Sequence, residues 1–213
     1  MLTIWGRKTS SNVQAVMWAV GELDLDHTRH DAGHRHGVID TPEFAALNPN
    51  RTVPVLEDEG IAPLWETGAI LRYLGDKYGQ DHLWPSNLPE RSEVDKWADW
   101  AKLNVAMNFT VPVFWQVVRT APADRDEEAL ATALATLEER LAIAEAQLSR
   151  QPYLASENLT IADIQLGHVL FRYFDIDIPR PEWPALAAYY QRLTTRPAFR
   201  EHVMLSYEEL RVT

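Results

Sequence analysis

The stretch Asn48–Leu74, NPNRTVPVLEDEGIAPLWETGAILRYL, constrains this chain more than any other. Its first part sets Val53-Pro54 between a turn-rich NPNRT segment and an apolar run, where proline demotes a strand unless it occupies an edge or carries a cis bond. A cis Pro54 turns the N–H and C=O of Val53 outward, where an extended peptide can pair with them as an added strand. The second part places Glu66-Thr67 before Gly68 and the apolar residues Ile70, Leu71 and Leu74 at helical spacing. Thr67 reads as the N-cap of that helix. The free N–H groups and positive dipole end there suit a carboxylate.

With 213 residues, 46% hydrophobic and 24% charged, the chain allows one large domain or two small ones with a sizeable core. Its net charge of −11 and pI near 5.0 disfavour nucleic acid and an anionic membrane as partners, so an anionic ligand has to be attracted locally. No N-terminal targeting pattern and no apolar run of membrane-spanning length occurs in it, which makes a cytoplasmic protein the expectation. The chain has no Cys. That removes disulfides, thiolate metal sites and any protein-borne thiol nucleophile, and leaves sulfur chemistry to a bound molecule.

Leu2–Trp5 is a short strand candidate, followed by the polar loop GRKTSSN and by Val13, Val16, Met17 and Val20 at helical spacing. Ser10, Ser11 and Asn12 fall where a helix N-cap belongs, and capping alone and a functional role are both open for them. The segment HTRHDAGHRHG, residues 27–37, holds four of the seven histidines. A metal site is one reading, but no carboxylate-histidine pair at helical spacing accompanies them, and a solvated strand and loop explains them better. A short helix Pro42–Leu47 leads to Asn48. The polar, proline-containing stretch 80–90 reads as a linker. Beyond it the chain is helical: a long helix from Arg91 through Val94, Trp97, Ala101 and Val105, with a kink or break at Val111-Pro112-Val113. A heptad-like stripe follows at Leu130, Leu134, Leu137, Leu141, Ala144 and Leu148. Thr160–Asp163 forms a capping box, and Trp183, Leu186, Tyr190 and Leu193 mark a last helix stripe.

The run NP…VP…L…WET…AI..YL resembles the glutathione-binding half of the soluble glutathione S-transferases, in their bacterial serine-type (theta-, delta- and nu-like) members. The likeness extends over nearly the whole chain. It implies an α/β plus all-α fold: a thioredoxin-like βαβαββα domain over residues 1–79, the linker 80–90 and an all-helical bundle domain over 91–213. Aligned on Gln14-Ala15-Val16, Ser10 takes the position of the serine that donates a hydrogen bond to the glutathione sulfur, with Asn12 as a further donor and Ser11 as the substitute one register away. Free thiols have a pKa near 8.5, and lowering it by about two units requires about 2.7 kcal/mol, which a hydroxyl donor and a helix N-terminus together supply. The resemblance puts Arg51 and Thr52 near the glycyl carboxylate, where the family often has Gly-Lys. Val53 and Pro54 then lie along the peptide backbone, Glu66 on the γ-glutamyl amine and Thr67 on its carboxylate.

The helical domain is expected to wall a pocket for a small hydrophobic electrophile with Trp100, Asn104, Met107, Asn108, Phe109 and Trp115. Arg35 or His36 borders the glutathione site, and Asp99 reaches across a homodimer interface. Glutathione is the cosubstrate and no metal is called for. Two rivals stand beside conjugation: glutathione-dependent disulfide or peroxide reduction, and a binding protein of the same fold without turnover. A Ser-His hydrolase lacks a nucleophile-elbow context around Ser10.

Overall fold

The computed structural model describes residues 1–79 and 81–212. Its first part follows the order β1 (Leu2–Trp5), α1 (Ser11–Glu22), β2 (His27–His30), α2 (Pro42–Leu47), β3 (Val55–Glu57), β4 (Leu64–Trp65) and α3 (Thr67–Tyr78). The strands make one mixed sheet, ordered β2-β1-β3-β4. β2 is parallel to β1, which requires a crossover, and α1 supplies it. β3 and β4 run antiparallel to their neighbours, with Ile4 opposite Leu56 and Val55 opposite Trp65. Side-chain alternation sorts the two faces. Leu2, Ile4 and Leu56 enter the main core with α1 and α3, whereas Trp5 points the other way and meets Phe44 of α2 edge-on at 6.3 Å. Phe44, Val55 and Ala32 form a second, smaller core there. This is the thioredoxin-like βαβαββα unit.

The helical part comprises α4 (Leu88–Trp100), α5 (Met107–Phe109), α6 (Glu127–Leu148), α7 (Ile161–Asp175), α8 (Pro184–Thr194) and α9 (Pro197–His202). Three expectations need correcting. The helix expected from Arg91 begins at Leu88, because Asn87 caps it by accepting the Glu90 N–H at 3.2 Å and Pro89 fits the first turn. At Pro112 the helix does not break: residues 101–119 stay helical, with π-type turns over Ala101–Ala106 and Thr110–Arg119. A proline ring clashes with the carbonyl four residues back, and winding to the fifth residue relieves that clash. In α8, Leu186 and Leu193 are buried as expected, and only the tyrosine of the stripe differs. Tyr189 is the buried tyrosine, its hydroxyl 3.1 Å from Asp163, while Tyr190 stacks on Phe174 at the margin.

α7 is buried almost all round and carries the expected capping box: Thr160 accepts the Ala162 N–H, and Asp163 accepts those of Thr160 and Leu154 at 2.8 Å each. Burial pushes the Asp163 carboxyl up to about 6. α1 is the element shared by both halves, lying between the sheet and α7. The two helices approach closely because position 167 is glycine; a Cβ there would lie 2.8 Å from the Trp18 ring and 2.7 Å from Leu193. Glu22 at the end of α1 and Arg196 at the start of α9 tie those two helices with paired bonds of 2.7 and 2.6 Å. One apolar core runs through both halves, so the loop ahead of α1 is set by the helices as firmly as by the sheet.

Candidate active site

Ser10 ends the β1–α1 loop. Its backbone is extended (φ −83°, ψ 121°) at the N-cap position of α1, yet its side chain accepts no first-turn N–H. Of the two readings the sequence left open, capping is not realised. The loop is held by other groups: Ser10 N–H donates to Arg7 C=O at 3.1 Å, Gln14 Nε2 to Lys8 C=O at 3.0 Å, and Arg172 to Thr9 C=O at 2.8 Å. Thr9 Oγ1 donates to Glu209 at 2.6 Å, which brings the C-terminal turn Glu208–Leu210 against the loop. Ser10 and Ser11 are largely buried as residues, and their hydroxyls bond to nothing among the described residues. Asn12 Oδ1 accepts from Lys102 Nζ at 2.7 Å, which leaves the Asn12 amide N–H groups free as donors.

The Val53-Pro54 bond is cis. Asn48, buried, orders the approach to it: its Nδ2 donates to Thr52 C=O at 2.9 Å and its Oδ1 accepts the Asn50 N–H at 3.0 Å. The N–H and C=O of Val53 have no backbone partner among the described residues. Thr67, expected as an N-cap, is instead the first helical residue of α3. Glu66 occupies the cap with φ 72° and ψ 119°, a sparsely populated conformation that costs on the order of 1–3 kcal/mol, and its side chain caps nothing. The first N–H groups of α3 are thereby left open.

Ser10, Ser11, Asn12, Arg51, Thr52 and Val53 line one cavity of about 310 Å³. Pro54, Glu66 and Thr67 do not line it. They continue along the same edge, since the Val55–Trp65 register sets Pro54 and Glu66 at the next positions. A second cavity of about 320 Å³ meets the first at Ser11, Asn12 and Thr110, and is walled by Lys102, Ala106, Met107, Val111 and Pro112. Of the expected electrophile-pocket residues, Trp115 lines the first cavity and Met107 the second. The others do not. Phe109 is core, Trp100 packs edge-on against Trp97 at 5.1 Å, and Asn108 donates to Asn104 C=O at 2.9 Å. Asp99 accepts from Arg72 at 2.7 Å within its own chain. Arg35 is drawn to Glu209 at 2.5 Å, and His34, not His36, borders the first cavity. Among the described residues no three His, Asp or Glu side chains converge as a metal site requires.

Sequence reasoning missed the basic wall. Arg7, Arg119 and Arg172 join Arg51 around the first cavity. Burial lowers the Arg7 pKa, with Arg119 adding to it, and holds buried Arg172 down to about 10. His34 is lowered too, first by desolvation and then by Arg7 and Arg119. A chain of net charge −11 thus presents a locally positive site. Only Arg7, in the loop beside Ser10, carried a hint of this.

Two family models match the chain: the glutathione S-transferase N-terminal domain over residues 9–77 and the C-terminal domain over residues 105–197. Glutathione S-transferase GstB of Escherichia coli K12 is 34% identical over 206 residues, 96% of this chain and 99% of that protein. Among solved structures, the theta class glutathione S-transferase of Xanthomonas axonopodis pv. citri with glutathione bound superposes with a TM-score of 0.91 at 42% identity, covering 96% of this chain and 98% of that one. A glutathione S-transferase from Pseudomonas fluorescens Pf-5 gives a TM-score of 0.79 at 30% identity, over 96% and 99% of the two chains. With these matches running through both the sheet and the helices, the chain belongs to the glutathione S-transferase family.

Proposed function

We propose that this protein conjugates the thiolate of glutathione to a small electrophile, with Ser10 as the donor that stabilises the thiolate. The observation that carries this reading is the Ser10 hydroxyl: it stands at the N-cap of α1, faces a cavity and is bound to no N–H of its own helix. A hydrogen bond to a charged group is worth roughly 1.5–3 kcal/mol, most of what a two-unit pKa shift requires. Val53 offers its backbone to the tripeptide, and Arg51 and Thr52 face the glycyl carboxylate. Glu66 pairs with the γ-glutamyl amine while the open N-terminus of α3 at Thr67 takes the adjoining carboxylate. Asn12 and Ser11 stand as further donors beside the sulfur. Residues 1–79 serve as the glutathione-binding half, and the helical part after the 80–90 stretch as the electrophile half. The enzyme contributes position and electrostatics, and glutathione is the nucleophile.

We also place it in the cytoplasm as a homodimer. Leu103, Met107 and Val111, exposed on one face of the 101–119 helix, support a shared surface, and no described helix is long and apolar enough to cross a membrane. The test begins with immobilised glutathione. The wild-type chain is retained and eluted by free glutathione, and Glu66→Ala passes through. Failure of the wild-type chain to bind overturns the reading, and binding without turnover of either an aryl halide or a mixed disulfide marks a binding protein.

A further inference from the structure

We infer that the electrophile this enzyme takes carries an anionic group, a carboxylate on a planar ring, held by Arg7 and Arg119 in the cavity beside Ser10. The inference rests on the conjugation reading and adds to it a substrate class.

Four guanidinium groups, from Arg7, Arg51, Arg119 and Arg172, line this one cavity, and none of them forms an ion pair among the described residues. Elsewhere six of the twelve arginines, Arg29, Arg35, Arg72, Arg91, Arg196 and Arg211, reach a carboxylate, and Arg125, Arg180 and Arg192 donate instead to backbone carbonyls. Arg172 donates to Thr9 C=O and Gln14 Oε1 and Arg51 to Asp40 C=O, but with acidic residues in excess over basic ones, gathering four guanidinium groups with no described carboxylate in ion-pair distance is not a shortage of carboxylates. Arg172 is 3% exposed, and the Nε atoms of Arg172 and Arg7 are buried without a hydrogen-bond partner. Burying guanidinium groups with unpaired donors and no counter-charge is costly, and an anion in the cavity lowers that cost by supplying the opposite charge.

Glutathione accounts for part of this charge, but its anchors lie on the sheet side, at Arg51, Val53 and Ser10. Arg119 comes from the helical wall, with its guanidinium 4.2 Å from the Trp115 ring centre. A guanidinium held that close to an indole ring is positioned by it and keeps N–H groups for a carboxylate. Arg7 lies opposite in the loop after β1, near Gly33. An electrophile of this class is a chloronitrobenzoate. The glutathione proton goes to solvent, the thiolate sulfur forms a C–S bond to the ring carbon, and the C–Cl bond breaks with chloride leaving with the electron pair.

The experiment compares 4-chloro-3-nitrobenzoate with the neutral 4-chloro-3-nitrobenzamide, each kcat/KM divided by the uncatalysed rate with glutathione. The wild-type enzyme is expected to favour the carboxylate by about 10-fold or more, as charge-assisted bonds to one carboxylate require. Arg119→Gln and Arg7→Gln are each expected to reduce that preference by about 10-fold, with KM for glutathione moving far less. Turnover of the amide with no preference for the benzoate overturns the inference and leaves the conjugation reading standing; no glutathione binding at all overturns the latter. A rise in glutathione KM that matches the lost preference assigns the two arginines to the carboxylates of glutathione itself, and overturns the inference as well. Circular dichroism of both variants, unchanged from wild type, ties the effects to the site.

Discussion

The N-termini of α2, α4, α6 and α7 are each closed by a side chain. Thr41, Asn87, Asp126 and Thr160 accept first-turn N–H groups at 2.9–3.3 Å. α8 is closed from outside, with Glu145 accepting from Ala185 and Leu186 at 2.9 and 2.8 Å. The N-termini of α1 and α3 have no side-chain cap, although Ser10 and Glu66 stand at the cap positions. The six-residue α9 also lacks one, but its first residue, Pro197, has no N–H to satisfy. A cap is worth about 1 kcal/mol, so two open helix ends forgo about 2 kcal/mol of stability. Both open ends flank the region assigned to glutathione, and all of the closed ones hold structure. Polar residues at helix starts therefore divide by what they bond to, not by their type.

The sharpest way to break this contrast is chemical. Ser10→Ala removes the donor to the bound thiolate, which disfavours the charged form and raises the thiol pKa. The expected result is a rise of about one to two units, with a loss of about 10- to 100-fold in turnover below neutral pH, read from thiolate ultraviolet absorbance against pH. An unchanged titration takes Ser10 out of the mechanism. Next in size is the counterpart at a closed end. Thr160→Ala removes the cap of α7 and loosens the buried Asp163 network, and should lower unfolding free energy by about 2 kcal/mol in urea denaturation. A loss well under about 1 kcal/mol would show that closed ends are not where stability is held.

How much of this was legible in the residues follows from the same contrast. Local chemistry read well where the sequence also fixes the partner. Thr160 and Asp163 are three apart and must meet, α2 was bounded by Pro42 and Asn48, and the Val53-Pro54 edge needed a special bond. What failed depended on tertiary company. Thr67 looked like a cap because nothing in the sequence shows that Glu66 takes a positive φ. Pro112 read as a kink or break because a widened helix turn has no residue signature. Arg119 and Arg172 lie more than a hundred residues from Ser10, on two different helices, and only tertiary packing brings them to the same cavity. Ser10 itself could be chosen from three adjacent candidates only by resemblance.

A smaller effect separates an unpartnered group at a site from one in the core. His168, in the second turn of α7, is buried, with Nδ1 3.0 Å from Ile164 C=O and no partner at Nε2. Desolvation, then the positive charges of Lys102 and Arg172, holds its pKa down at about 3, against 6.5 when unfolded. Between those values the unfolded chain binds more protons than the folded one, so stability falls as pH falls. One such residue contributes about 1.4 kcal/mol per pH unit below 6.5. His34 and His202, also lowered, add in the same direction. Asp163, raised to about 6, binds a proton in the folded state below that pH and opposes this, so the difference between variants is the reading: from pH 6.5 to 5, His168→Leu should lose less stability than wild type by about 1.4 kcal/mol per unit. A slope that survives the substitution assigns the acid sensitivity to the other histidines.

The smallest expected effect decides whether α1 is open by design of its site. Ser10→Ala, so damaging to the thiolate, should change unfolding free energy by less than about 0.5 kcal/mol, because the lost hydroxyl caps no N–H and bonds to no other described residue. The bonds that hold the loop come from the Ser10 backbone, Gln14 and Arg172, and all survive the substitution. Urea unfolding of Ser10→Ala beside Thr160→Ala reads the difference directly. Equal losses in the two variants would mean that Ser10 caps α1 in solution. The free hydroxyl on which the thiolate assignment stands would then be spent on its own helix.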